Sequence, residues 1–591
     1  MLLYLYNLRC SIINMELETQ THSTNSVFTT CKNCKKDFII EPDDFSFYEK
    51  IKVPPPTFCP GCRRQRRLAW RNDLTFYNRT CDLCRSKIIS LYHQDKPLTV
   101  YCNKCWWSDK WDPKSYGQDF DFSKPFFEQF RELQGKVPLL SMFNDDGVGS
   151  VNCEYTQNTT FAKNCYIGAL TWQSEDVMYF YNVAGPESRE VMDSMDVFNY
   201  SQIIYDSIFV EHCYNCRNCY YSTGLTDCLF CYDCKGCSNC FMCINLRQKS
   251  YCIKNVQYSK KEYEKIIKSY KLDTYSGTQK VQKEFLKFKK LFPHRFANIR
   301  NCVDSSGDGL FNCKNTKDSF MLRACEDVRF FVRGNEVKDS YDLDPAGESS
   351  QCYEALTADH DYQALFTIYS LKSQEITYCQ DCHSSKHLFG CVGIKHGQYC
   401  IFNKQYTKEE YFVLRDKIIE YMKKTGEYGE FFPSSLSYFG YNETTAQDYF
   451  PLTKVEAQAK GFVWWDQIQK TTGKETLMTD NIPDSINDVK DLIINEVLAC
   501  IKCKRNYRIV PNELIFYKKH KIPVPQKCFY CRNHERMEFE NPFKLWHRKC
   551  MCDKKDHLHG VNHCGLEFET SYPPDKPEII YCEKCYQQEV L

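Results

Sequence analysis

The chain of 591 residues has almost no excess of charge of one sign, since 77 Lys and Arg face 76 Asp and Glu and leave a formal net charge of +1. This balance excludes a protein that binds polyanions over its whole surface. Apolar runs of about 18 residues, the length of a membrane-spanning helix, are also missing. The chain further lacks the nucleotide-binding patterns GxxxxGK[ST] and GxGxxG and the catalytic patterns HExxH and GxSxG, so no common enzyme class is indicated.

The first fifteen residues, MLLYLYNLRCSIINM, contain an apolar run of the length found in signal peptides. The run has no basic segment before it and no small-residue cleavage site after it. We therefore predict that residues 1–30 are disordered or wrongly assigned, with Met15 favoured over Met1 as the true start. Without an export signal, a large cysteine-rich chain is expected to be cytoplasmic, with reduced thiols, and to be virion-associated only if the protein is viral.

Cysteine is the residue in excess, with 38 copies. Two CxxC pairs joined by a short loop place four thiolates around one tetrahedral Zn²⁺. Four thiolates close the coordination shell, which is typical of a structural rather than a catalytic zinc. The N-terminal part contains two such quartets, the first of Cys31, Cys34, Cys59 and Cys62 and the second of Cys81, Cys84, Cys102 and Cys105.

The first quartet is repeated near the C-terminus. The segment from Cys31 to Arg67 aligns without gaps on the segment from Cys500 to Arg536. Between the CxxC pairs both copies carry an aromatic step, FSFYEK or LIFYKK, which we predict to lie in a hairpin, and the basic stretch after the second pair should open a helix. This order predicts a treble-clef or zinc-ribbon shape, with a third quartet of Cys500, Cys503, Cys528 and Cys531.

The second quartet is also repeated, but with an insertion. The segment CRSKIISLYHQDKPLTVYCNKC aligns on CGLEFETSYPPDKPEIIYCEKC, which gives Cys564, Cys582 and Cys585 as ligands. The fourth ligand is Cys550 or Cys552, with Cys552 favoured, and the histidines of the insertion stay open as alternatives: His557, His559 and His563. We therefore predict about four structural Zn²⁺ per chain.

The middle of the chain contains a second duplication. The segment YCIKNVQYSKKEY from Tyr251 recurs as YCIFNKQYTKEEY from Tyr399, and in each copy a capping box predicts the start of a helix. Upstream of each copy, short aromatic or β-branched segments recur every ten to thirteen residues without helical periodicity. This spacing suggests a sandwich, a barrel or a solenoid, and we favour two β-solenoid repeats with closing helices.

Ten cysteines between Cys213 and Cys252 share one period-three register. Three interpretations stay open: small buried fillers at tight bends, one or two further zinc sites, or an Fe–S cluster. The filler interpretation is favoured because the second copy keeps only four cysteines in the corresponding stretch.

The predicted fold is therefore multidomain and mainly β, with zinc modules at both ends. The predicted organisation is an N-terminal segment (1–30), paired zinc modules (31–118), a first β-rich repeat with its closing helix (119–270), a helical linker (271–300), a second repeat with its closing helix (301–425), a helical or irregular linker (426–499) and paired zinc modules (500–591).

Basic charge is concentrated at the two ends. Residues 31–118 carry 17 basic and 10 acidic side chains, and residues 500–591 carry 17 and 12. The stretch RRQRR, with several tryptophans after it, is a candidate for binding phosphate and stacking on bases. The candidate nucleic-acid residues are Arg63, Arg64, Arg66 and Arg67.

The expected function is a non-enzymatic, zinc-binding scaffold whose partner is a protein. The first alternative is nucleic-acid binding through the basic ends. The second is an enzyme that acts on a polymer such as polysaccharide, because acidic residues occur in similar places of both repeats. These acidic residues are Asp193, Asp196, Asp339, Asp342 and Asp344, with His360 nearby in the sequence.

Four segments resemble a recurrent uncharacterised family of hypothetical proteins with zinc-ribbon or treble-clef domains, found in uncultivated microbes and some large viruses. The segments are CPGCRRQRRLAWRN, YCNKCWWSDKWDPKSYGQDFDFSKPFFEQF, the YCI-N-QY-KEEY signature and FETSYPPDKPEIIYCEKCYQQEV. The resemblance covers nearly the whole chain from Cys31 onward. It implies zinc domains but no activity, and the cysteine load of residues 213–252 departs from the family pattern.

Overall fold

The computed structural model describes residues 26–147, 149–468, 470–560 and 562–590. Strands outnumber helices, which confirms the prediction of a mainly β chain. Most of the predicted N-terminal segment, including both candidate start residues, lies outside the described residues. The end of that segment is ordered and not disordered, because Val27–Thr30 form a strand that pairs with Asp37–Ile40. Within the described part of the chain, no helix is both long and apolar enough to cross a membrane.

The N-terminal modules consist of short hairpins, each followed by a helix. Their elements are β1 (Val27–Thr30), β2 (Asp37–Ile40), α1 (Pro42–Lys50), α2 (Pro60–Leu68), β3 (Tyr77–Thr80), β4 (Lys87–Ser90), β5 (Val100–Tyr101), α3 (Asn103–Trp106), a 3₁₀ turn (Pro113–Tyr116) and α4 (Phe126–Gln134).

The segment after the N-terminal modules is a stack of parallel strands followed by two helices. Its elements are β6 (Leu139–Leu140), β7 (Tyr155–Thr160), β8 (Tyr166–Met192), β9 (Met195–Phe198), β10 (Gln202–Tyr205), β11 (Ile208–Glu211), β12 (Tyr214–Thr223), β13 (Leu229–Tyr232), β14 (Cys252–Ile253), β15 (Val256–Gln257), α5 (Lys260–Ser269) and α6 (Tyr275–Lys289). We call residues 144–257 the first stack.

A second set of parallel strands follows and leads into one long helix, and we call residues 299–405 the second stack. Its elements are β16 (Pro293–Arg295), β17 (Ile299–Arg300), β18 (Gly307–Phe311), β19 (Lys314–Lys317), β20 (Ser319–Arg323), β21 (Glu326–Arg329), β22 (Val332–Asn335), β23 (Lys338–Tyr341), β24 (Ala346–Gly347), β25 (Leu356–Asp359), β26 (Tyr362–Leu365), β27 (Ile368–Leu371), β28 (Gln374–Thr377), β29 (Lys386–Phe389), β30 (Gln398–Ile401), β31 (Lys404–Gln405) and α7 (Lys408–Thr425).

Short helical pieces then lead to the C-terminal modules. These elements are 3₁₀ turns (Ser434–Leu436 and Tyr441–Glu443), α8 (Thr445–Tyr449), α9 (Lys454–Ala459), further 3₁₀ turns (Thr479–Asn481, Ile486–Asp488 and Asp491–Asn495), β32 (Leu498–Ala499), β33 (Asn506–Tyr507), α10 (Pro511–His520), α11 (Phe529–Met537), β34 (Trp546–Lys549), β35 (Glu567–Thr570), β36 (Ile579–Tyr581) and α12 (Glu583–Val590).

Parallel pairing builds both stacks, with an offset of twelve residues at most pairs and of thirteen or fourteen between some strands of β8–β11. Cys219 lies opposite Cys231 in the first stack, and Leu388 lies opposite Cys400 in the second. In both cases the partners are twelve residues apart, so the chain returns to the same place after twelve residues. The predicted spacing of ten to thirteen residues between strands has this origin.

Left-handed backbone recurs at every third residue of the stacks, for example at Asn215, Asn218 and Asp227 with φ of 50°, 51° and 53°. Asn and Asp tolerate this conformation better than other residues with a side chain, and they are frequent at these corners. The residue after each corner points inward, as Cys216 and Cys219 do, and both are fully buried. The period-three register of the cysteines is therefore the period of the corners.

The two closing helices begin where the capping boxes predict. The side chain of Ser259 accepts a hydrogen bond from the backbone of Glu262 at the start of α5. At the start of α7, the side chain of Thr407 accepts a hydrogen bond from the backbone N–H of Glu410, and the side chain of Glu410 accepts one from the backbone N–H of Thr407. The structure therefore has a helix at each of the two predicted starts.

One local prediction for the zinc modules was wrong. The aromatic step between the CxxC pairs is a helix, α1 or α10, and not part of a hairpin. Pro42 and Pro511 occupy the first helical position, where a proline costs no hydrogen bond, and an acidic residue three positions after the cap binds the cap's N–H. The hairpins β1–β2 and β32–β33 instead enclose the first CxxC pair of each module.

Two aligned tyrosines of the cysteine-rich terminal modules make crossed contacts with the stacks. Tyr48 of the N-terminal modules packs on Tyr353 of the second stack, with ring centroids 5.3 Å apart. Tyr517, the aligned residue of the C-terminal modules, packs on Tyr205 of the first stack at 6.1 Å. Each of these two contacts joins a module to the stack that is farther from it along the chain, while the C-terminal modules also contact the second stack, for example through Glu540 and Arg333.

Candidate metal centres

The four predicted quartets come together as compact groups of sulfur atoms. In each group the ligand atoms all lie within 4.8 Å of one another. Four of the sulfur–sulfur distances are 3.8 Å (Cys34–Cys59), 3.9 Å (Cys84–Cys102), 3.6 Å (Cys503–Cys528) and 3.9 Å (Cys564–Cys582). A tetrahedron with Zn–S bonds of about 2.3 Å has edges of roughly 3.8 Å. The groups therefore have the size that one tetrahedral metal ion requires.

Local backbone geometry aims the sulfurs of each quartet. The first CxxC pair lies at the tip of a hairpin, where the following residue is left-handed: Lys35, Arg85 and Lys504 have φ of 61°, 64° and 61°. The second CxxC pair begins a helix, with Cys59 and Cys102 as the capping residues of α2 and α3. A helix N-terminus stabilises negative charge, so these thiolates lie in a favourable field.

The fourth quartet uses Cys550, which corrects the preference for Cys552. The backbone N–H of Cys582 donates to Cys550 Sγ at 3.2 Å, as that of Cys102 donates to Cys81 Sγ at 3.3 Å. Cys550 therefore occupies the place of Cys81. The complete group is Cys550, Cys564, Cys582 and Cys585, and all four are buried.

Cys552 belongs to a second group beside the fourth quartet. Its sulfur lies 3.1 Å from His557 Nδ1 and 3.4 Å from His559 Nε2, and Cys585 Sγ completes the group. His563, the remaining histidine of the insertion, is exposed and does not take part. Two histidines and two cysteines within 4.8 Å of one another could hold a further metal ion.

Neighbouring hydrogen bonds favour thiolates at some positions of the quartets. The hydrogen bond with the Cys62 side chain lowers the pKa of the Cys59 thiol to about 5. The hydrogen bond with the Ser86 side chain lowers the pKa of Cys84 to about 6. Burial raises the pKa of the Cys105 thiol above its ordinary value.

The arginines predicted to bind nucleic acid are not available to it. Arg63 and Arg67 are 1% and 0% exposed, and Arg64 and Arg66 are buried as well. Arg63 Nε donates to Asp342 at 2.7 Å, and Arg67 donates to Asp342 and Asp344 at 3.0 Å each. The sequence prediction is wrong for these four residues because α2 faces the second stack and not solvent.

The same docking contact recurs at the other end of the molecule. Arg532, aligned with Arg63, donates from Nε to Asp193 of the first stack at 2.9 Å and from Nη1 to a backbone carbonyl at 2.7 Å. At the N-terminal contact, burial alone would lower the pKa of the Arg67 guanidinium, but the negative charges of Asp342 and Asp344 outweigh the effect of burial and raise that pKa. The basic helices α2 and α11 are therefore docking elements for acidic positions on the stacks.

The acidic residues considered for a polymer-cleaving site serve these contacts instead. Asp193, Asp342 and Asp344 face arginines of the zinc modules, and Asp196 pairs with Arg333 at 3.1 Å. Asp339 binds Lys50 at the surface, and His360 pairs with Glu348 and Asp359, away from these carboxylates. The structure does not bring the set together as a group of free carboxylates.

The cysteines between Cys213 and Cys252 line the interior of the first stack. They form one apolar cluster with neighbouring valines and leucines, and all are at most 2% exposed. Their thiols face backbone carbonyls of the next turn, such as Cys231 Sγ to the Cys240 carbonyl at 3.7 Å. Among the described residues, none of these cysteines belongs to a group of three or more metal-ligating atoms. The arrangement favours the filler interpretation.

We expect Cys231→Ala to cost about 1 kcal/mol of unfolding free energy and Cys231→Leu to cost about 3 kcal/mol, because the positions around Cys231 are already filled by other cysteines and a larger side chain overpacks them. Chemical denaturation of both variants measures the two costs. The zinc content of Cys231→Ala should equal that of the unchanged protein. A loss of metal from this variant would show that the central cysteines form a site.

Comparison with known proteins gives no family for this chain. Neither the models of known protein families nor the curated proteins contain a match. The chemistry of the sites therefore rests on the residues themselves. Sequence reasoning missed the pairing of Cys552 with His557 and His559, although an insertion containing three histidines was visible between two aligned quartets.

Proposed function

We propose that the protein is a non-enzymatic, zinc-stabilised scaffold. The observation that carries this proposal is the closed environment of the quartets, each of which offers four cysteine sulfurs and no open position of the kind a catalytic zinc needs. Thiolate ligands favour Zn²⁺ over the harder ions Mg²⁺ and Ca²⁺. In this proposal the four ions hold the ends of the chain in shape, and the ends hold the stacks together.

The proposed module shape is a treble clef or zinc ribbon. A hairpin tip with one CxxC pair, followed by a helix that starts at the second pair, supports this assignment. The proposed shape of the centre is a pair of β-solenoids with four corners in each twelve-residue turn. Parallel pairing at a recurring offset of about twelve residues and inward-facing apolar side chains support the solenoid.

The proposed biological role is to present the surfaces of two rigid stacks to a protein partner. Solenoids offer extended surfaces of this kind without moving parts. Ion pairs between the docking helices and the stacks, buried on both sides, support a rigid body. The nucleic-acid alternative loses its main support, since the RRQRR stretch faces Asp342, Asp344 and Glu354.

Metal analysis by mass spectrometry tests the proposal on protein purified without oxygen or chelator. We expect zinc in all four quartets and no iron. Serine substitutions at Cys34, Cys84, Cys503 and Cys564, one per quartet, should each lower the zinc content. Iron with visible absorbance, or four variants that keep all their zinc, would overturn the proposal.

The nucleic-acid alternative is tested by fluorescence anisotropy with single-stranded and duplex oligonucleotides. Binding through phosphate weakens steeply as salt rises, because counterions are released from the nucleic acid. We expect no salt-dependent binding between 50 and 200 mM salt, a range over which ~6–10 phosphate contacts would change affinity ~10³–10⁵-fold. Tight binding that falls with salt would replace the scaffold by a nucleic-acid-binding role.

A further inference from the structure

We propose that Cys552, His557 and His559 hold a fifth zinc ion, which shares the Cys585 thiolate with the zinc of the fourth quartet. The inference rests on the proposed zinc in that quartet and adds a second metal beside it. Cys585 Sγ lies within 4.8 Å of every ligand atom in both groups. A thiolate can bridge two ions, so each zinc would have four protein ligands.

The insertion in the fourth module supplies the new ligands as a set. Cys81 and Cys84 are three positions apart, whereas their counterparts Cys550 and Cys564 are fourteen apart. Cys552, His557 and His559 all lie within this added stretch. The N-terminal module without the insertion has no histidine between its two cysteines, and no second group forms beside it among the described residues.

Both histidines are oriented as metal ligands usually are. His557 directs Nδ1 at Cys552 Sγ, while its Nε2 lies 3.5 Å from the Glu589 carboxylate. His559 directs Nε2 at the same sulfur, while its Nδ1 donates to the Asn562 carbonyl at 2.7 Å. A ligating histidine typically donates its other ring N–H to a carboxylate or a carbonyl, which fixes the ring.

Charge and burial also favour a second ion. Cys552 and Cys585 are 0% and 2% exposed, and His557 is 7% exposed. Four thiolates around a single Zn²⁺ leave two negative charges in this buried place. A second Zn²⁺ with one further thiolate leaves one negative charge, so the cluster is one unit closer to neutral. Mixed thiolate and imidazole donors are the ligands that zinc prefers.

Metal content of the full-length chain tests the fifth site. We expect five zinc ions in the unchanged protein and four in the double variant His557→Gln/His559→Gln. The matched control is His563→Gln, an exposed histidine of the same insertion, which should keep five. Circular dichroism checks that the variants fold. Equal zinc in the double variant and the control would overturn the fifth site and leave the four quartets untouched.

Cadmium substitution tests the shared thiolate separately. In ¹¹³Cd NMR, a sulfur that bridges two cadmium ions produces a scalar coupling between their signals. We expect one coupled pair in the unchanged protein and loss of the coupling in the double variant, with the quartet signals retained. Five uncoupled signals would overturn the bridge. Absence of the quartet signals themselves would instead overturn the zinc scaffold on which this inference rests.

Discussion

Substitution of Cys31 by serine is expected to remove zinc from the first quartet and to lower the free energy of unfolding by several kcal/mol. Structural zinc contributes roughly 10–16 kcal/mol of apparent binding free energy in small zinc modules, and a serine ligand forfeits a large part of it. Cys31 is fully buried, so no water replaces the lost sulfur without rearrangement. Thermal unfolding and metal analysis of the same sample measure the two effects.

The matched control for this prediction is Cys302→Ser. Cys302 is a partly buried cysteine at the start of the second stack and belongs to none of the metal groups. Its substitution should leave the zinc content unchanged and cost about 1 kcal/mol. If both serine variants kept the same zinc content and the same stability, the first quartet would not be a zinc site.

Replacement of Arg67 by methionine is expected to cost about 3 kcal/mol of unfolding free energy. Breaking a buried ion pair leaves an uncompensated charge and typically costs about 3–5 kcal/mol. The lower end applies because Asp342 keeps Arg63 as a partner at 2.7 Å. The aligned substitution Arg536→Met tests the same contact at the other end of the molecule, where Asp193 likewise keeps Arg532.

Chemical denaturation measures these losses against Arg85→Met. Arg85 is 75% exposed at its side chain and lies 3.9 Å from Asp82, so its removal should change stability by less than about 0.5 kcal/mol. The zinc content of all three variants should stay constant, because none of these arginines is a ligand. A cost for Arg67→Met as small as that for Arg85→Met would mean that the docking contact contributes nothing to the fold.

The sequence predicts the grouping of the cysteine quartets well because the spacing within a CxxC pair is a local property. A CxxC pair positions two sulfurs by its own backbone, and two aligned copies repeat the pattern. The choice between Cys550 and Cys552 was wrong because both lie close to the same hairpin tip. Only the N–H of Cys582, which donates to Cys550 Sγ, decides between them, and this contact joins residues 32 positions apart.

The burial of the basic helix α2 could not be predicted from local sequence. Arg63, Arg64, Arg66 and Arg67 form the pattern of a solvated or phosphate-binding face. They are buried against Asp342, Asp344 and Glu354. These partners lie more than 270 residues away along the chain, so local sequence does not reveal them. Acidic residues occupy similar places in both halves of the centre. An aspartate that forms an ion pair with an arginine cannot be distinguished in sequence from one that serves catalysis.

The cysteine register of the first stack had a physical origin that the sequence only suggested. Its period of three excluded a helix or a plain strand but did not reveal the left-handed corners. Those corners fall on residues as different as Asn218, Tyr221 and Phe230, so residue type alone does not mark them. The turn length does not dictate cysteine inside, because the interior of the second stack also holds Leu310, Leu322 and Phe331.

The crossed packing of the modules has a consequence for synthesis on the ribosome. The charge of Arg67 is neutralised only when Asp342, 275 residues later, has been synthesised, and Arg532 of the third module contacts Asp193 across 339 residues. Contacts at such separations form late and slowly. The N-terminal half of the chain therefore carries α2 without Asp342 and Asp344, and the C-terminal half carries α11 without Asp193, so each half expressed alone lacks the acidic partners of its own arginine helix.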